Sequence, residues 1–267
     1  MVTVEIVTIG NEILLGLVQD TNSSYLCRVV RGMAGRVRHI SVVRDEIEAI
    51  GASIKASLEQ GAELIFTCGG LGPTDDDVTL AAIAAATNRK LSINEEARAF
   101  VEHRYRELAA RGHVASAEIT EPRLKMARLP EGARPVENPA GAAPGVVLEV
   151  NNTRIVSLPG VPAELKAIVE GPLQSLLAEV FGRGSYREQE ITVECGDESV
   201  LAPALREVAR LHPDVYIKSR ASQFGPQVRF RILVSSSASS AEEAGRMIDV
   251  AISDLTRALV AAGIRDS

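Results

Sequence analysis

The sequence predicts an α/β protein on a parallel sheet, followed by a small α+β subdomain. Three observations predict it. Short β-branched runs alternate with segments of helical periodicity in the first half of the chain, the pattern of right-handed βαβ crossovers. Glycine turns follow directly on two of those runs, at Gly10 and at Gly69-Gly70. Around Gly182–Ser185 the composition turns small and polar, and half-exposed strands follow. The expected division is residues 1–182 and 183–267.

The elements follow in order. Residues 2–9 are short and β-branched and end at Gly10, a buried strand. Leu26, Val29, Val30 and Met33 recur at helical spacing, with Gly35 where a C-cap belongs. Val37–Val43 is a second strand; Ile47, Ile50, Ile54 and Leu58 mark a second helix closed by Gly61. Leu64–Cys68 is a third strand, and an Ala-rich helix starts near Val78. Asn94 caps a helix whose apolar face carries Ala97, Val101, Tyr105 and Leu108. Glu121–Gly145 is rich in Pro, Gly and Ala and reads as a long ordered loop. Val146–Val150 and Arg154–Leu158 flank Asn151-Asn152, a hairpin signal. Pro162 then opens a helix. In the second part, Ile191, Val193 and Cys195 alternate with polar residues, and so do Val228, Phe230, Ile232 and Val234. With a strand at Val215–Lys218, a helix through Leu201, Leu205 and Val208, and a closing helix through Ala244, Ile248, Ala251, Leu255 and Leu259, this gives β-α-β-β-α with the helices on one face.

Composition narrows the function classes. The net charge is −6 and aromatics are 3% without Trp, which argues against nucleic acid as a partner. Hydrophobic residues at 46% suffice for a packed core. Three scattered cysteines form no Cys-x-x-Cys, and the four histidines have no metal-ligand spacing. No apolar run spans a bilayer and no signal peptide is present, so a soluble, cytoplasmic protein without a membrane partner is expected. No Ser-His-Asp triad can be argued, and Lys218, Arg220, Arg229 and Arg231 read as a solvated basic patch.

The strongest chemical signal is Cys68-Gly-Gly-Leu-Gly-Pro-Thr-Asp-Asp-Asp77-Val-Thr79. A glycine turn between a buried strand and a helix presents backbone amides suited to phosphate. Three successive carboxylates beside it repel phosphate unless a divalent cation such as Mg²⁺ intervenes. The competing reading is a tight turn with Asp capping the next helix. Neither a Walker A loop nor a dinucleotide fingerprint is present. Gly10-Asn-Glu12-Ile-Leu-Leu-Gly16 with Asp20-Thr-Asn-Ser23 follows the first strand at its carboxyl end, where Glu12, Asp20 and Asn22 reach a crevice or else cap a helix. Asp45 follows the second strand and is a candidate at the same edge or an N-cap. Asn138–Gly145 and Leu158–Pro162 are Gly/Pro turns that are structural unless they line that crevice.

Taken in order, these segments resemble the N-terminal domain of the CinA (competence/damage-inducible) family, in the molybdopterin-binding, MoaB/MogA-like superfamily. The likeness runs over about residues 3–180. It implies a three-layer α/β/α fold with a nucleotide or pterin phosphate at the glycine loop. It also implies that Asp45 and Asp77 are functional. CinA-type domains are similar to metal-dependent ADP-ribose pyrophosphatases, and a related domain hydrolyses FAD. Leu71 replaces the Thr usual in molybdopterin adenylyltransferases, which favours the CinA branch. The amidase domain of longer CinA proteins is missing before Ser267, so amidase activity is not transferred.

The resulting expectation is an enzyme that hydrolyses nucleoside-diphosphate-linked metabolites with Mg²⁺ or another divalent metal. Gly69, Gly70, Leu71, Gly72 and Thr74 hold the phosphates, and Asn138, Gly145 and Gly160 close the pocket. Asp77, Asp76 and Asp45 hold the metal, and Glu12 or Asp45 handles the attacking water. The other reading is a molybdopterin- or nucleotide-binding module without turnover. The resemblance also implies a homodimer or homotrimer.

Overall fold

The computed structural model describes residues 1–182, 184–195, 197–221 and 229–266. Packing separates two units, Met1–Val30 with Gly35–Val180, and Arg31–Ala34 with the chain from Phe181 onward.

The first unit is ordered β1 (Thr3–Ile9), α1 (Asn11–Leu14), α2 (Thr21–Gly32), β2 (Arg36–Val43), α3 (Ile47–Glu59), β3 (Leu64–Cys68), α4 (Thr79–Ala86), β4 (Leu91–Ile93) and α5 (Glu95–Ala110). It continues with α6 (Glu121–Lys125), β5 (Arg128–Pro130), β6 (Arg134–Val136), β7 (Gly145–Val150), β8 (Thr153–Leu158), α7 (Pro162–Glu170) and α8 (Gln174–Phe181). Six strands form one sheet in the order β2-β1-β3-β8-β7-β6. β2, β1, β3 and β8 run parallel, while β7 and β6 run antiparallel. This is the mostly parallel sheet that the alternation predicts. β1 and β3 are buried almost throughout, which is why they read as continuous apolar runs rather than alternating ones. β2 lies at the edge and carries polar Arg36, Arg38 and His39. Buried Glu5 on β1 is matched there by the Arg38 guanidinium, with Nε at 2.8 Å.

Local signals place the helix starts well. The Asn94 side chain accepts from Ala97 N at 2.9 Å and caps α5. Pro162 stands at the first turn of α7. Asn151 turns the β7–β8 hairpin at φ 53°, in the left-handed region asparagine tolerates. The segment 121–145 corrects the expectation of a loop: it holds α6, β5 and β6. These elements are three to five residues long, too short for periodicity to show, and β5 and β6 both contain a proline.

The second unit is β9 (Ser185–Glu194), α9 (Glu198–Leu211), β10 (Val215–Ala221), β11 (Arg229–Ala238), α10 (Ala241–Ala261) and β12 (Arg265–Asp266). Its sheet order is β10-β11-β9-β12, antiparallel at each pairing. The core packs Val193, Phe230, Ile232 and Val234 against Leu201, Val208, Ile248 and Leu255. The expected start of the third strand at Val228 lies outside the described residues. Arg229 and Arg231 pair with Glu194 and Glu190 at 3.0 and 3.5 Å, so that part of the basic patch is neutralised across the sheet. Among the described residues no helix is long and apolar enough to cross a membrane.

Candidate functional site

The chain leaves β1 for β2 on one side, then passes back beyond β1 to β3 on the other. The connection direction reverses between β1 and β3, at the carboxyl edge where open α/β sheets bind ligands. Gly10 ends β1, Gly69 ends β3 and Pro159 ends β8 at this edge. The loop after β3 is held by few bonds. Gly69 N donates to Leu158 O at 3.0 Å, and the Thr79 hydroxyl donates to Gly69 O at 2.8 Å. Thr79 N donates to Gly70 O at 3.2 Å. Among the described residues, no protein acceptor meets the amides of Gly70, Leu71 and Gly72.

Glycine is required here on steric grounds. Gly69 has φ +107°, and a Cβ would lie 2.3 Å from Ile9 O; at Gly70, with φ +67°, a Cβ would lie 2.2 Å from Thr79 Oγ1.

Gly70, Leu71 and Gly72 line a cleft of about 610 Å³. The structure brings Glu12, Asp45, Gly69, Gly70, Leu71, Gly72, Asp76, Asp77 and Gly160 to its lining. Asn22 Nδ2 donates to Gly160 O at 2.8 Å, and so fixes the turn after β8 against the start of α2. Among the described residues, five carboxylates line the cleft (Glu12, Asp45, Asp76, Asp77 and Glu164) with no Lys, Arg or His.

Three of the expected site residues are instead engaged within the protein. Thr74 is exposed, and its amide and hydroxyl both donate to Asp77 Oδ2, the amide at 2.9 Å. Gly145 is the buried first residue of β7, paired with Val136. Asn138 uses its whole amide within the protein. Nδ2 donates to Ala143 O and Glu164 Oε2, both at 2.8 Å, and Oδ1 accepts from Ala140 N and Gly141 N at 3.1 and 2.8 Å. Asn138 borders a second cavity of about 260 Å³, beside Phe100 and Arg104.

The acids are likewise engaged. Asp45 Oδ2 accepts from Asn11 N at 2.7 Å, so Asp45 caps α1 and not α3. Asp20 caps α2, accepting from Ser23 N at 2.9 Å. The expected gathering of Asp45, Asp76 and Asp77 into one ligand set is not preformed. Among the described residues, no three His, Cys, Asp or Glu side chains are grouped so as to hold a metal ion.

Ala143 and Val161, from the two Gly/Pro turns, also line the cleft, as do Tyr105, Met126 and Glu164, which sequence reasoning missed. Tyr105 falls on the apolar face of α5, which reads as core. Glu164 sits in the first turn of α7, where an acid is explained by the helix dipole.

Cys68 illustrates a conspicuous residue without chemistry. It is fully buried in β3, and burial, then the Asp20 charge, pushes its thiol far above the usual range. Iodoacetamide is expected to leave Cys68 unmodified in the folded protein and to alkylate it in urea, as read by mass spectrometry of its peptide. Labelling at native rates comparable to a free thiol would contradict this.

A glycine turn at the switch point of a mostly parallel sheet defines the class of α/β protein to which this first unit belongs. The family described as a probable molybdopterin binding domain matches residues 5–179. The chain belongs to that family, and within it to the CinA-type proteins. A protein of Aeropyrum pernix is 41% identical over 242 residues, 90% of this chain and 87% of that protein. One from Caldivirga maquilingensis is 41% identical over 254 residues, 94% of each. A crystal structure of CinA from Thermoplasma acidophilum, a protein of unknown function, is 34% identical with TM-score 0.59. It covers 66% of this chain and 97% of its own.

Proposed function

We propose that the cleft binds a phosphorylated heteroaromatic metabolite, a pterin or a nucleotide, with the phosphates on the glycine loop. The observation that carries this reading is the row of unpartnered amides at Gly70, Leu71 and Gly72, placed at the end of β3. Membership of the molybdopterin-binding family supports the same ligand class.

Phosphate and five carboxylates in one cleft repel each other, so binding requires a counter-cation. Carboxylates beside a phosphate cradle suit a hard divalent ion, which keeps few protein ligands and completes its shell with phosphate oxygens and water. Asp76, Asp77 and Asp45 line the cleft without forming a ready ligand set, and they would have to gather to hold it. When bound, the ion neutralises the phosphates and polarises them.

The crowd of acids favours one second reading, hydrolysis of a nucleoside-diphosphate-linked metabolite such as ADP-ribose or FAD. In it, water attacks one phosphorus, the P–O–P bridge breaks, and Glu12 or Asp45 accepts the proton. With ADP-ribose the products are AMP and ribose 5-phosphate.

Calorimetric titration with inorganic pyrophosphate separates these statements. Binding is expected with Mg²⁺ and at least about tenfold weaker after chelation by EDTA, the effect of losing about 1.4 kcal/mol. Equal binding without the ion would remove the cation from the proposal. Incubation with ADP-ribose and Mg²⁺ tests turnover. AMP release that Asp77→Ala abolishes and Asp249→Ala preserves supports the hydrolase, and binding without product supports the binding module.

A further inference from the structure

We propose that Tyr105 is the ring-binding residue of the cleft, the surface on which the planar heteroaromatic part of the ligand stacks. The proposal rests on the reading above for the phosphate half only. Tyr105 lies on α5 and is, among the described residues, the one aromatic side chain in the cleft lining, in a chain with 3% aromatics. It is half-buried, as is Arg123 beside it. The Arg123 guanidinium sits over its ring, 3.8 Å from the centroid. Arg123 is itself fixed, because Nη1 donates to Ser116 O and Glu118 O, both at 2.7 Å. The ring is therefore held in place before any ligand arrives, so little ordering is left to be done on binding.

The neighbours of Tyr105 suit the same task. Buried Met126 offers a polarisable thioether, and Ala142, Ala143 and Val161 are apolar. Such a surface takes the face of a ring and offers nothing to a phosphate. The cleft thus has two chemistries, amides and acids after β3, and an apolar wall carrying one clamped aromatic. Among the described residues the Tyr105 hydroxyl has no protein hydrogen-bond partner, so no hydrogen bond explains a tyrosine there. A residue that only packed against the core would serve both ligand halves alike, and this gives the test.

The full chain is titrated with ADP, adenosine, neopterin and inorganic pyrophosphate, in the presence of Mg²⁺. Tyr105→Ala is expected to weaken binding of at least one ring-bearing probe about 5- to 100-fold and to leave pyrophosphate within about twofold. Tyr105→Phe is expected to restore the ring-bearing probe. Arg123→Gln, at a half-exposed residue, should weaken it several-fold without lowering the melting temperature by more than a few degrees, and so stands in if Tyr105→Ala fails to fold. Equal weakening of pyrophosphate and ring-bearing probes, or no difference between them in the unmodified protein, would overturn the proposal. Pyrophosphate silent while adenosine or neopterin binds through Tyr105 would overturn the glycine-loop reading and leave this one standing. If no ring-bearing probe binds, the proposal is wrong whatever pyrophosphate does.

Discussion

Gly69→Ala is expected to lower the stability of the first unit by about 3 kcal/mol and to abolish phosphate binding. Two effects combine. The left-handed φ of +107° disfavours any side chain, at about 1–3 kcal/mol. The new Cβ would lie 2.3 Å from Ile9 O, a backbone atom that cannot swing aside. A Cβ at Gly160 would itself be 3.4 Å from Gly69 Cα, so the turn after β8 also closes on this position. The strand ends must therefore move apart, and the amides of Gly70 and Leu71 move with them. Gly61→Ala is the control. It has φ +73° and open space around it, so it should show only the backbone term, about 1–2 kcal/mol. At about 2–4 °C per kcal/mol for a unit of this size, melting curves should place Gly69→Ala well below Gly61→Ala. Equal melting temperatures would show that Ile9 and Gly69 do not approach as closely as described. Gly69→Ala that binds pyrophosphate normally would contradict the role of the loop.

Much of this site was legible because its signals are local. A buried run ending in Gly-Gly states both the strand and the turn, and the structure places β3 over Leu64–Cys68 as read. The carboxyl edge follows from parallel strands, so Gly10, Asp45 and Gly69 could be assigned to one crevice before any coordinates. What was not legible depends on distant pairings. Asn138 looks like any loop asparagine until Glu164, 26 residues on, is seen to accept from it. Asp45 looks like a cap for the helix that follows it, yet it accepts from Asn11, 34 residues earlier. Tyr105 satisfies the apolar period of α5 and also lines the cleft, and periodicity cannot separate those roles. Thr74 has the right type and place for phosphate, but Asp77, three residues on, takes both of its donors.

Asn138→Ala is expected to cost about 2–4 kcal/mol, although the residue touches no cleft amide. The truncation leaves Ala143 O without its donor and the amides of Ala140 and Gly141 without their acceptor. It also releases Glu164, which lines the cleft. Gly141 packs closely on the same carboxylate, since a Cβ there would lie 1.9 Å from Glu164 Oε2. The near-isosteric Asn138→Asp sharpens the test. It replaces two donated hydrogen bonds with a carboxylate facing Ala143 O and the Glu164 carboxylate. The folded protein then holds a proton on the introduced carboxyl more tightly than the unfolded chain does, so its folded pKa is raised. The defect is small below the unfolded value of about 3.9 and grows as pH rises toward the folded value. Urea midpoints at pH 4 and pH 7, each against the unmodified protein, should show the gap for Asn138→Asp widening with pH. A gap that narrows would place a donor other than the Asn138 amide against Glu164. The ligand supplies the second half of the argument. If Asn138 held phosphate directly, Asn138→Ala would weaken pyrophosphate as strongly as it weakens the fold. With the amide taken up by Ala143 and Glu164, affinity should fall only about two- to fivefold, through displacement of Glu164 and of the 142–143 wall.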